Sequence, residues 1–151
     1  MYQIREWLYI SGFTAASDEK WLKHTGIQAM LQLFKPLYYP GIHALYLQAE
    51  DGYPLQSVSI ARGTQFIREQ AQLQHHLLIT CGAGISRSVT FGIAALKEIE
   101  GVSLRQAYLS IRKKHPDAMP DQRHWESLRA FYGEEESFWD VWKDLVMRGG
   151  A

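Results

Sequence analysis

The sequence predicts an α/β fold: a central, mostly parallel (mixed) sheet of about four to five strands, flanked by helices on both faces. Three observations predict it. Short apolar runs that suit strands alternate with stretches of helical spacing, the C-terminal part carries helical spacing alone, and no repeat, low-complexity tract or Gly/Ser linker interrupts the series. The 151 residues, 46% hydrophobic, suffice for one well-filled core, so a single domain over 1–151 is expected.

Trp7-Leu8-Tyr9-Ile10 before Ser11-Gly12 reads as a short strand ending in a turn, because aromatic and β-branched residues fit a pleated surface. Ser17 or Asp18 can cap a helix over residues 19–24 that Gly26 closes. Ile27 to Leu33 then reads as a largely buried strand, and Pro36 and Pro40-Gly41 mark the loop after it. Ala44 to Leu47 is a further strand, running into the polar Gln48-Ala49-Glu50-Asp51-Gly52 at its C-terminal end, where sites in open α/β sheets collect. From Leu55 to about Gln74, Ile60, Gly63, Ile67 and Ala71 share one helical stripe. Leu77 to Thr80 is an apolar strand that leads directly into Cys81-Gly82-Ala83-Gly84-Ile85-Ser86-Arg87-Ser88, and residues 88–100 read as the helix beyond.

Three more helices are expected. Ser103 and Gln106 form a capping box, Leu104, Ala107, Tyr108 and Ile111 an apolar stripe, and Arg112-Lys113-Lys114 suit the negative end before Pro116. Residues 121–132 carry Trp125, Leu128 and Tyr132, and residues 135–147 carry Phe138, Val141, Trp142 and Leu145. These aromatic stripes read as core. Lys113-Lys114 and Glu134-Glu135-Glu136 read as solvated helix ends.

Sixteen basic and sixteen acidic side chains cancel, so no net field favours nucleic acid or an anionic membrane surface. The apolar stretches fall short of the roughly 20 residues that cross a bilayer, and Met1 is followed by no signal-like segment. A single cysteine cannot form an intrachain disulfide and suits a reducing cytoplasm. These features exclude a nucleic-acid binder driven by bulk charge and a disulfide scaffold.

The chemistry concentrates in residues 81–88. A strand, a small-residue loop and a helix in that order aim backbone N–H groups and the positive end of a helix at one spot, which is an anion site. Gly82, Ala83 and Gly84 leave room for a ligand to approach the backbone, and glycine accepts the dihedrals of a tight cradle. Cys81 opens the loop and Arg87 follows six residues later, so a curled loop brings both to the bound anion. A planar guanidinium grips two phosphate oxygens at once. The same surroundings favour a thiolate, a strong nucleophile. The Ser88 hydroxyl is placed to bond the sulfur and assist its departure.

At these residues the sequence resembles the signature loop of protein tyrosine phosphatases, most closely their dual-specificity branch, and the likeness in element order extends over residues 5–132. The fold expected is accordingly phosphatase-like. The family takes its general acid from an aspartate about thirty residues upstream of the nucleophile, which falls on Asp51, with Glu50 as its rival one position away. The resemblance implies Cys81 as nucleophile, Arg87 as clamp, Asp51 as acid and then base, Ser88 as helper, and Gly82, Ala83, Gly84, Ile85, Ser86 and Arg87 as the phosphate-binding loop. It implies hydrolysis of phosphomonoesters through a phosphocysteine intermediate, on phosphotyrosine and phosphoserine/threonine of proteins. It implies no cofactor and no metal, and His75-His76, being adjacent, diverge.

Two positions depart from the pattern. Thr80 stands where the family has histidine before the nucleophile, and Pro120-Asp121-Gln122 stands where relatives carry proline and a loop-bracing asparagine. Asp121 can accept loop hydrogen bonds instead. The alternatives are a catalytically silent phosphate-binding module, which the Thr80 departure favours, and a rhodanese-like sulfurtransferase, which would leave Asp51 unexplained. A nucleotide triphosphatase loop is excluded because no Gly-Lys-Ser/Thr occurs, and a dinucleotide fingerprint because Arg87 holds the third glycine position. The partners expected are phosphorylated proteins or small phosphomonoesters, without nucleic acid or membrane.

Overall fold

The computed structural model describes residues 1–147. A five-stranded sheet is built from β1 (Tyr2–Arg5), β2 (Leu8–Ser11), β3 (Ile27–Gln32), β4 (His43–Tyr46) and β5 (His76–Thr80) in the order β1-β2-β5-β3-β4. The β2-β5, β5-β3 and β3-β4 pairs are parallel, and β1 alone is antiparallel, with Tyr2 opposite Ile10. The mixed sheet is therefore as expected, while β1 is an addition to it. Only Ile4 of β1 is buried, so an edge strand with one inward side chain carries almost no apolar signal.

The helices are α1 (Phe13–Ala16), α2 (Glu19–Thr25), α3 (Ser57–Gln72), α4 (Arg87–Glu100), α5 (Leu104–Lys114), α6 (Gln122–Tyr132) and α7 (Phe138–Met147). They cover both faces of the sheet. On one face α3 to α7 bury Ile60, Ile67, Phe91, Tyr108, Trp125 and Leu145 against Leu8, Ile10, Leu31 and Ile79. On the other, Ala16 of α1 and Leu22 of α2 pack with Tyr9, Met30 and Leu78. Alternating strand residues thus serve opposite cores, the consequence of a period of two in a sheet covered on both sides.

The local signals act as expected at most ends. Asp18 caps α2 by accepting the Trp21 N–H, Gly26 closes it at φ 89°, and both halves of the Ser103–Gln106 capping box form; such caps contribute about 1 kcal/mol each. The C-terminal aromatic stripes are core, with Tyr108, Trp125, Phe138 and Trp142 in mutual ring contact. One expectation changes. Glu134 and Glu136 are not solvated helix ends, because they lie between α6 and α7 and pair with Lys97 at 2.6 Å and Arg105 at 2.9 Å. Ser88 lies in the first turn of α4, and Ser86 holds the N-cap position. Among the described residues, no helix is long and apolar enough to cross a membrane.

Candidate active site

The parallel strands β2, β3, β4 and β5 all end on the same side, and each delivers part of one site: Gly12 after β2, Leu33-Phe34 after β3, Ala49 to Gly52 after β4, and Cys81 after β5. The β5–α4 loop is fixed to its neighbours through its carbonyls. The N–H of Phe13 donates to Gly82 O at 2.9 Å, and the N–H of Met119 to Ile85 O at 2.9 Å. His115 Nε2 lies 2.8 Å from Gly84 O, and because a carbonyl only accepts, that nitrogen carries the proton. In a trans peptide the N–H points opposite to the C=O, and no cis bond occurs here. Outward carbonyls at 82, 84 and 85 therefore turn the N–H groups of Ala83, Ile85 and Ser86 inward, into a nest for an anion.

Two glycines permit this curl. Gly84 adopts φ +77°, and a Cβ there would stand 2.6 Å from the backbone of Ser11 and Gly12. A Cβ on Gly12 would meet Gly82 O at 2.8 Å. The loop and the β2–α1 turn approach closer than any side chain allows.

Cys81 is buried, 2% exposed, at the floor of this loop. Its Sγ receives the Gly84 N–H at 3.2 Å and lies 3.2 Å from the Ser88 hydroxyl. Arg87 begins α4, and its Nη1 donates to Ala49 O at 3.0 Å. Its Nε is buried without a hydrogen-bond acceptor, with Asp51 Oδ2 at 3.6 Å. An unpartnered buried donor beside an inward ring of amides is arranged for an oxyanion. Gly82 makes room for the guanidinium, since a Cβ there would stand 3.1 Å from Arg87 Nη2.

Asp51 is exposed and turns toward the loop, where Oδ1 accepts the Ser86 hydroxyl at 3.1 Å. Glu50 does not turn that way, its carboxylate instead lying 3.4 Å from Gln48 Nε2. Both peptides around Asp51 are held from α6. Gly52 N–H donates to Asp121 Oδ2 at 2.6 Å, and His124 Nε2 donates to Glu50 O at 2.9 Å. Asp121 also caps α6 through the N–H groups of Arg123 and His124, and its own N–H donates to Ser86 Oγ at 3.0 Å. Burial pushes the Asp121 carboxyl up, but the amides of Gly52, Arg123 and His124 and the nearby His124 ring outweigh it and hold it below the usual carboxylate value. Asp121 thus braces the loop that carries Asp51 directly and meets the Cys81–Arg87 loop through its amide.

Residues 8–134 match the family profile described as "Dual specificity phosphatase, catalytic domain". The chain belongs to the dual specificity phosphatase family. Among dual specificity phosphatases it is 28% identical to Dual specificity protein phosphatase Mpk3 of Drosophila melanogaster over 130 residues, which is 82% of this chain and 32% of that protein. It is 26% identical to Dual specificity protein phosphatase 12 of Rattus norvegicus over 132 residues, 82% of this chain and 39% of that one. The chain therefore spans less than half the length of these curated relatives. The fold is shared with human DUSP28, at a TM-score of 0.81 and 19% identity over 88% of this chain and 96% of that one. It is shared also with DUSP15, at a TM-score of 0.79 and 23% identity over 99% and 97% of the two chains.

Three contributors to this candidate site carry no motif in the sequence: Gly12, His115 and His124. Locally Gly12 reads only as a turn residue, and the constraint that ties it to the site comes from a loop seventy residues away. A signal for the histidines does exist. His115 continues the buried stripe of Tyr108 and Ile111, and His124 adjoins Trp125 on the buried face of α6, so each is a polar residue at a core position. Thr80, the departure noted in the sequence, donates its hydroxyl to Gly12 O at 3.1 Å and does not reach the sulfur.

Proposed function

We propose that the chain hydrolyses phosphomonoesters through a phosphocysteine intermediate, with phosphotyrosine and phosphoserine/threonine residues of proteins as substrates. The observation that carries this reading is the Cys81 sulfur at the floor of a nest of N–H groups, with an unpartnered Arg87 Nε beside it and Asp51 at its edge. In the first step the thiolate attacks phosphorus in line. The S–P bond forms, the P–O ester bond breaks, and Asp51 gives its proton to the departing oxygen. The loop amides and Arg87 hold the three equatorial oxygens and stabilise the transition-state charge. In the second step the Asp51 carboxylate takes a proton from water as that water attacks phosphorus, and the S–P bond breaks to return the thiolate, to which Ser88 donates.

Membership of the dual specificity phosphatase family leaves the sulfurtransferase reading without support. The second reading with an observation behind it is a silent phosphate-binding module, because the Thr80 hydroxyl is engaged by Gly12 and offers the sulfur nothing. A reducing, cytoplasmic setting accords with one buried thiol, and a single domain accords with two cores that share one sheet.

Turnover of p-nitrophenyl phosphate, lost in Cys81→Ser, together with a phosphate adduct on Cys81 after acid quench, is the expected result. Tight phosphate binding with no turnover by the unaltered protein would establish the silent module instead.

A further inference from the structure

Phe34 is the second residue beyond β3, next to Leu33, whose carbonyl lies 3.4 Å from Arg87 Nη1. The residue is 37% exposed, yet its ring is fixed in place. The half-buried Phe13 meets it edge-on, with centroids 5.4 Å apart and planes at 83°. The Arg87 guanidinium lies 5.5 Å from its centroid. A Cβ built on Gly82, the residue after the candidate nucleophile, would stand 4.0 Å from the ring. An apolar ring is thus held, partly in solvent, at the rim of the phosphate cradle. The cradle itself also carries Ile85, 40% exposed within the loop, to whose carbonyl the amide of Met119, 37% exposed, is bonded. An apolar rim around a polar anchor is the composition of a site that receives an apolar group attached to an anion.

We infer that Phe34, backed by Phe13, is a specificity-determining wall that favours aryl phosphomonoesters, phosphotyrosine in proteins, over phosphoserine. The inference rests on the hydrolase reading above for where the phosphate sits. With phosphate in the nest, the next atoms outward in an aryl ester form a rigid ring with two apolar faces, and in a seryl ester a single methylene. Only the ring presents a surface that Phe34 can cover, in an offset or edge-on pairing. Lys35 Nζ now lies 5.1 Å from the Phe34 centroid; it ends an exposed, flexible chain that an incoming ring displaces at little cost.

The test is kcat/KM on peptides of one sequence carrying phosphotyrosine or phosphoserine, for the unaltered chain, Phe34→Ala and Phe34→Leu. Phe34→Ala is expected to lower the phosphotyrosine value about three- to tenfold, the range of an aromatic pair, and the phosphoserine value less than about twofold. Phe34→Leu, which keeps apolar bulk and guards against a folding defect, is expected to fall between. Equal losses on both peptides would mean that Phe34 acts only through Arg87, and that result, or no loss on either, overturns the inference. Binding separates this failure from that of the underlying reading. In Cys81→Ser, calorimetry with phosphotyrosine peptide, phosphoserine peptide and inorganic phosphate is expected to show Phe34→Ala weakening the first alone. Phosphate bound without preference for the aryl ester sinks the wall and spares the site, whereas no phosphate bound at all sinks the site and the wall with it.

Discussion

The carboxylate of Asp121 accepts the backbone N–H of Gly52 at 2.6 Å, one residue beyond Asp51. A residue at the start of α6 therefore sets the position of the candidate acid, which lies seventy residues earlier in the chain. Because the amides it receives hold its carboxyl below the ordinary value of 3.8, the folded state binds fewer protons there than the unfolded chain. Its contribution is complete above the unfolded value and is lost as pH falls through the lower folded one. Thermal melts across pH 2–7 are expected to fall less steeply on the acid side in Asp121→Asn. Asp121→Ala, which also removes the cap, is expected to lose about 0.5–2 kcal/mol at neutral pH. An unchanged acid limb in Asp121→Asn would locate that dependence elsewhere.

Asp51 carries its own prediction, which depends on the leaving group. An alcohol that leaves poorly needs a proton during P–O cleavage, whereas p-nitrophenolate hardly does. Asp51→Asn is expected to lower kcat about a hundredfold or more on phenyl phosphate or phosphoserine peptide, within the range of general acid catalysis, and much less on p-nitrophenyl phosphate. Equal losses on both would reassign the acid, with Glu50→Gln the next variant to measure.

Gly84 tests the curl of the loop. Alanine there would bear a left-handed backbone conformation at φ +77° and a methyl 2.6 Å from two backbone atoms that have nowhere to move. Left-handed residues with a Cβ cost about 1–2 kcal/mol before any clash. Gly84→Ala is expected to abolish phosphate binding, as read by calorimetry, and to lower Tm by several degrees. Binding within about threefold of the unaltered chain would show that the nest forms differently.

What the sequence makes legible divides along one line: signals carried by neighbours in the chain against contacts made by distant segments. The run from Leu77 to Arg87, the Ser103–Gln106 box and the Tyr108–Ile111 stripe are local, and all correspond to structure. Asp51, picked out by a spacing that the resemblance supplies, lies 3.1 Å from the Ser86 hydroxyl. By contrast α1 is one turn long, anchored by the Phe13 N–H on Gly82 O, and four residues hold no periodicity to read. Asp121, expected to accept hydrogen bonds from the Cys81–Arg87 loop, instead accepts the Gly52 N–H of the β4–α3 connection and meets the first loop only through its own amide, a choice set by tertiary packing. Ser88, by contrast, follows Arg87 directly in the chain, and its hydroxyl lies 3.2 Å from the Cys81 sulfur as its position suggested.

Ser88 offers the sharpest kinetic test, because its hydroxyl lies 3.2 Å from Sγ while both residues are buried. A hydrogen bond to a charged partner is worth about 1.5–3 kcal/mol, and an alanine methyl cannot replace it. In the proposed mechanism the sulfur carries negative charge before attack and again as the S–P bond breaks. Removing the donor therefore leaves a less stabilised, more reactive thiolate for the first step, but deprives the second step of help where charge returns to sulfur. At a pH where the sulfur is ionised, Ser88→Ala is expected to keep a fast first turnover of p-nitrophenyl phosphate while steady-state kcat falls about tenfold or more. The signature is a burst of p-nitrophenolate close to one per protein molecule, with phosphate recoverable on Cys81 after quench. A uniform slowing of both phases, with no burst, would assign Ser88 to the structure of the loop and not to the departure of the sulfur.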